Sequence, residues 1–203
     1  IRRPPRSTLS SSSAASDVYK RQNKNSVPKD TIERAIKKGS GQSDSSFEEI
    51  TYEGYGPKGI AVIIECLTDN KNRTVSEVRH ALTKYNGSLG TKGSVSHLFK
   101  KVGILTVIDT TEDDLINLID DVEILDYEQS GNDCIINTEP TNLFTVKTFF
   151  ESKSIKTKDE ELILEPTTMC DIGEIDLEQV EMFTDNLEDL DDVQNIYTNI
   201  NVI

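Results

Sequence analysis

The run Ile60-Ala61-Val62-Ile63-Ile64, continuing to Leu67, is apolar without alternation. A strand with one wet face would alternate and a helix would need a longer periodic stretch, so this run predicts a central strand covered on both sides. Something must be laid over each face of it, and the flanks offer the pieces. Upstream lie a short strand over residues 48–53 and the turn Gly54-Tyr55-Gly56-Pro57-Lys58-Gly59, where glycine permits unusual backbone angles. Downstream, Thr74 and Glu77 have capping-box spacing and predict a helix starting near Thr74. Val75, Val78, Leu82 and Tyr85 form its apolar stripe, with Arg79, His80 and Lys84 beside or opposite it and Asn86-Gly87 at its end.

After a second glycine-rich turn over residues 87–93, residues 95–99 and 102–108 read as two successive strands joined at Lys100-Lys101. The pattern then continues with a helix over 112–119, strands over 122–127 and 133–138, a helix over 143–150 and a strand over 161–164. Counted from residue 102 this order is β-α-β-β-α-β, the ferredoxin-like split pattern. Leu177, Val180, Phe183, Leu187 and Leu190 line one more helix, followed by a strand over 193–197. That last pair is one unit too many for the second domain, while the first is short of one. The chain is therefore expected to return, so that residues 171–203 complete the sheet begun at Tyr52.

Residues 1–22 are rich in Ser and Arg, show no convincing apolar face and read as a non-native or disordered leader. From Asn23 a basic helix is expected, with Pro28 in its first turn, Ile32, Ala35 and Ile36 on one face, Lys37 and Lys38 in its last turn and Gly39 as its stop. A helix this short is marginal alone in water, which points to packing partners upstream of Asn23. The expected organisation is α+β: a leader over 1–22, a remnant helical domain and linker over 23–47, a central α/β domain over 48–101 plus 171–203, and an inserted acidic domain over 102–170.

The formal net charge of −14 is unevenly placed. Residues 23–101 carry thirteen Lys/Arg against nine Asp/Glu, whereas residues 102–203 carry four against twenty-six. A polyanion would be drawn to the first half and repelled by the second. Cys66, Cys134 and Cys170 form no CxxC and sit in apolar runs, as buried thiols of a reduced protein do, and with His80 and His97 they make no metal-ligand spacing. No apolar run approaches a transmembrane length, so no membrane partner is expected.

Three stretches, NSVPKDTIERAIKKGSG, the run of residues 52–99 and LEDLDDVQNIYTN, resemble the YebC family, whose organellar relatives act as translational activators. The resemblance spans residues 23–203 and is densest over 27–99. It implies three domains, a helical one, a central α/β one and a ferredoxin-like one inserted within it. It also implies a role in gene expression, at the ribosome during difficult sequences such as proline runs or on DNA as a transcriptional regulator. The basic opening segment with Gly-His-Ser-Lys-Trp that the family normally carries does not occur in this sequence. Lys58, Asn86 and His97 stand where the family usually has Gly, Gly and an aromatic residue.

The stretch 52–99 offers backbone and cationic groups and no nucleophile–base pair, which suits binding better than bond breaking; no enzyme activity, cofactor, metal or small-molecule substrate is expected. Lys71, Arg73, Arg79, Lys84 and Lys92 are the expected phosphate contacts, Arg73 lying just before the capped helix start. The amides of Gly54, Gly56, Gly59, Gly87, Gly90 and Gly93 are expected to support them, and Tyr52 and Tyr55 to stack on bases. Against this stands the plainer view that the glycines make tight turns, the tyrosines pack beside them and the cations pair with Glu53, Asp69 and Glu77. The clusters Asp113-Asp114 and Asp189-Asp191-Asp192 read as solvated charge, and the acidic C-terminal half as a second candidate surface, for basic ribosomal or transcription proteins. The expected partners are ribosomal RNA or DNA, in the cytoplasm.

Overall fold

The computed structural model describes residues 47–203, so the expectations for the leader and for the basic helix from Pro28 lie outside the described residues. The fold is α+β, and the chain forms two compact units. The described part of the first runs to Leu98 and resumes over Thr168–Ile203. Strands β1 (Glu48–Tyr55) and β2 (Ala61–Thr68) pair antiparallel, Glu48 opposite Thr68 and Tyr55 opposite Ala61. The turn between them is closed by the Gly56 amide donating to the Ile60 carbonyl at 2.8 Å, with Lys58 and Gly59 both at positive φ. The two-residue strand β3 (Ser88–Leu89) extends the sheet beyond β1, and β9 (Val193–Thr198) lies antiparallel on the other side of β2. The order is β3-β1-β2-β9.

Helices α1 (Lys71–Lys84) and α4 (Glu174–Glu188) contribute Val78, Ala81, Leu82 and Val180, Phe183, Leu187 to one core with Ile60, Val62, Ile64 and Cys66. Ala61 and Ile63, which alternate to the opposite face, are buried as well, as an apolar run without alternation requires. Phe183 is fully buried and meets the Tyr85 ring edge-on at 5.9 Å. It fits because position 56 is glycine: a Cβ there would lie 2.7 Å from the Phe183 ring. A small parallel pair, β8 (Cys170–Ile172) with β10 (Ile200–Val202), completes this unit.

The second unit, Phe99–Thr167, contains β4 (Phe99–Val107), α2 (Glu112–Ile119), β5 (Asp126–Ser130), β6 (Asp133–Thr138), α3 (Leu143–Ser152) and β7 (Thr157–Pro166). Its sheet runs β5-β6-β4-β7 with every neighbour antiparallel, the arrangement of a split β-α-β. Leu105, Val107, Leu115, Cys134, Ile136, Val146 and Phe150 form its separate core.

Three local expectations are corrected. Helix α1 starts at Lys71, because Asn70 accepts from the Arg73 amide and caps it a turn earlier; Thr74 lies inside the helix with its hydroxyl turned back to the Asn70 carbonyl. The strand expected over residues 95–99 does not form before Phe99: a tight turn at Ser96–Leu98 leads into β4 at Phe99, because the amides of Val95 and Ser96 go to the Glu53 carboxylate. The strand expected over 122–127 begins at Asp126, since Val122 still closes a turn onto Ile119 and packs its side chain, like Ile124, on the second core.

Candidate nucleic-acid interface

Among the described residues of the first unit, helix α1 is the cationic element. Val78, Ala81 and Leu82 bury one side, which leaves Asn72, Arg73, Ser76, Arg79, His80, Thr83 and Lys84 exposed. The helix holds four Lys/Arg and a single acid, Glu77, within a chain of net charge −14. Among the described residues Arg79 and Lys92 make no side-chain hydrogen bond or ion pair, while Lys84 lies 5.2 Å over the ring of its neighbour Tyr85. Lys71 pairs at the surface with Glu48. Exposed pairs of this kind are worth little and exchange easily with other anions.

Arg73 is differently placed. It lies in the first turn of α1, and its Nη2 reaches both oxygens of Asp192 at 3.0 and 2.8 Å and Asp69 at 3.0 Å. Asp192 is 2% exposed and also accepts the hydroxyls of Thr68 and Thr74 at 3.0 and 2.8 Å. Burial pushes the Asp192 carboxyl up, but the hydrogen bonds from Arg73, Thr74 and Thr68 outweigh it and hold the group below the usual carboxylate range. The expectation of solvated charge at Asp192 is thus overturned: it is the buried acceptor on which α1, β2 and the loop before β9 meet. Arg73, Asp69, Glu77, Asp189, Asp191 and Asp192 also line an open depression in which carboxylates outnumber the one guanidinium. Phosphate would be repelled there.

The glycine amides turn inward. Those of Gly56, Gly59, Gly87 and Gly90 donate to the carbonyls of Ile60, Gly56, Leu82 and Glu53, and that of Gly93 to the Glu53 carboxylate at 2.8 Å. Gly54 lies in β1, opposite Val62 and Leu89. Close approach explains Gly87, where a Cβ would sit 2.4 Å from the Tyr55 carbonyl, and positive φ explains Gly59 and Gly93. The anion cradle expected of the second turn exists, but Glu53 already fills it. Burial pushes the Glu53 carboxyl up, and the amides of Gly93, Val95 and Ser96 overcome this and hold it low. No feature local to Glu53 in the sequence signals that role.

Tyr52 packs partly buried on the first core, with burial, Cys66 and Asp192 all raising its phenol, so its ring is committed to the fold. Tyr55 is 38% exposed and donates to the Ser94 carbonyl at 3.1 Å. Cys66 and Cys134 are buried free thiols, burial pushing Cys66 up to about 12. Among the described residues no cluster of His, Cys, Asp and Glu has the form of a metal site, and no helix is long and apolar enough to cross a membrane.

The sequence model of the TACO1/YebC second and third domain matches residues 47–200. The chain belongs to the TACO1/YebC family. Among TACO1/YebC relatives, a probable transcriptional regulatory protein of Idiomarina loihiensis is 42% identical over 183 residues, covering 88% of this chain and 73% of that protein. One from Thermoanaerobacter pseudethanolicus is 41% identical over 192 residues, covering 92% and 77%. The crystal structure of a conserved hypothetical protein from Aquifex aeolicus matches with a TM-score of 0.73 at 38% identity, over 87% of this chain and 74% of that one.

Proposed function

We propose that this TACO1/YebC chain is a non-enzymatic regulator of gene expression that binds nucleic acid, acting as a translation factor that associates with ribosomal RNA and helps ribosomes through difficult sequences such as proline runs. The observation that carries the binding step is the solvent face of α1, where Arg79 and Lys84 stand among Asn72, Ser76, Thr83 and His80 with no exposed carboxylate between them. Along the sequence, residues 23–101 attract polyanions and residues 102–203 repel them, which favours an encounter through the first stretch. Regulation of gene expression agrees with the names of the relatives. Their description as transcriptional regulators favours a second reading, DNA binding, through the same cations.

Cosedimentation with ribosomes, set against capture by duplex DNA at the same physiological salt, separates the two. In either case Arg79→Ala with Lys84→Ala is expected to weaken binding and to lower the salt slope by about one unit for each lost phosphate contact. Unchanged affinity and slope would remove α1 from the interface. Arg73 is left intact in this variant because its loss would disturb Asp192.

A further inference from the structure

The loop from Gly90 to Ser96 is tied down almost entirely by one residue. Glu53, in β1 and 7% exposed, accepts the Gly93 amide on one carboxylate oxygen at 2.8 Å and the amides of Val95 and Ser96 on the other at 2.9 Å each. Its own carbonyl accepts the Gly90 amide at 2.8 Å. The Ser94 amide closes onto Thr91 at 3.0 Å, and the Ser94 carbonyl is held by the Tyr55 hydroxyl at 3.1 Å. Every one of these contacts faces inward. Thr91, Lys92 and Gly93 are left exposed at the tip, with Gly93 at φ +89° fixing the direction in which the chain leaves Lys92.

We infer that Glu53 is a positioning residue for nucleic-acid binding: by filling the amide cradle of the Gly90–Ser96 loop from inside, it sets Lys92 as a pre-ordered cation for the phosphate backbone. A lysine on a slack loop loses conformational freedom on binding, whereas one on a loop already held at Gly90 and Gly93 loses much less. The geometry also explains why a carboxylate is needed. Three N–H donors converge on two oxygens, and a glutamine would offer one acceptor oxygen and turn its own N–H groups toward donors. Phosphate therefore meets the side chain of Lys92 and not the loop amides, which Glu53 occupies. This inference rests on the nucleic-acid reading above.

The test is a double-mutant cycle on the full chain with a labelled RNA stem-loop and a labelled DNA duplex, read as affinity over a salt series. Lys92→Ala is expected to lower affinity about fivefold near physiological salt and the slope by about one unit, the worth of one phosphate contact. Glu53→Gln is expected to do nearly the same, with faster hydrogen exchange at the amides of Gly93, Val95 and Ser96. The double variant should lose little beyond either single one, because both act through the same contact. If Glu53→Gln does not fold, Gly93→Ala takes its place in the cycle, since a side chain at positive φ shifts the tip with Glu53 intact. Wild-type protein without salt-dependent binding to either probe overturns the nucleic-acid reading and this inference together. Wild-type binding with an unaffected Glu53 variant, or a double variant whose loss is the product of the two single losses, overturns the inference alone.

Discussion

Asp192 is a charged group with 2% of its surface exposed, and it is tolerated because donors such as Arg73, Thr68 and Thr74 surround it. Replacing it with alanine would take away the acceptor shared by the buried Thr68 and Thr74 hydroxyls, leaving Thr74 with the Asn70 carbonyl, and would leave the Arg73 guanidinium to Asp69. Asp192→Ala is expected to lower stability by about 3 kcal/mol, seen as a lower urea midpoint at an unchanged m value. The pH dependence has a definite sign. A carboxyl held below its unfolded pKa contributes stability that is present above the unfolded value and lost as pH falls through the folded one, so the wild-type midpoint should drop on acidification through and below the ordinary carboxylate range. Asp192→Ala should lose part of that slope; an unaltered slope would mean that Asp192 is not ionised in the native state. Arg73 could be picked out from sequence as a cation near a helix start, but its role could not, because the carboxylate that claims it lies 119 residues away. Glu53 was hidden for the same reason: its loop partners are 40 to 43 residues downstream.

Elements whose boundaries are set by neighbouring residues were the legible ones. Helix α2 begins where Thr111 and Asp114 cap each other and ends at Ile119, and both signals sit within the segment itself. Helix α1 was expected to start near Thr74, but Asn70 caps it one turn earlier by accepting the Arg73 amide, while the Thr74 hydroxyl is turned to the Asn70 carbonyl and to Asp192, a partner far away in sequence. The two-residue β3 and the three-residue β8 and β10 are too short to show any period, and exist because longer strands or each other hold them. The glycine turns were visible as turns, yet their amides serve the fold rather than a ligand. This distinction can be measured. Gly87→Ala forces a Cβ to 2.4 Å from the Tyr55 carbonyl, a clash with backbone that only movement of β1 or the turn relieves. Gly59→Ala meets nothing within 4 Å and carries only the cost of a positive φ, about 1 kcal/mol. Thermal melts should therefore show a small loss for position 59 and a several-fold larger one for position 87. Equal losses would mean that the β3 edge yields freely and that the close approach has no structural weight.

At the scale of the molecule, salt is expected to act in two opposite directions. Residues 102–203 carry twenty-six acids against four bases, and like charges stand close within the folded units: burial and then Asp185 and Asp189 raise the Glu188 carboxyl, and burial and then Asp159 raise Glu161. A raised carboxyl contributes stability below its unfolded pKa and loses that contribution as pH rises through the folded value, so near neutral pH these groups work against folding. Added salt screens repulsion among exposed carboxylates at distances beyond roughly 8 Å at physiological ionic strength, while the pair of Arg73 with the buried Asp192 carboxylate, in direct contact at 2.8 Å, is screened less. Raising sodium chloride from low to moderate concentration should therefore increase the melting temperature by a few degrees, since ~1 kcal/mol shifts a domain of this size by about 2–4 °C. The same change should weaken nucleic-acid binding, because each phosphate contact releases counterions less favourably in salt. Melting curves and binding isotherms recorded over one salt series test both signs at once. A melting temperature that fell with salt would show that attraction within ion pairs such as Arg73–Asp192 and Lys147–Glu160, rather than repulsion among carboxylates, dominates the folded chain.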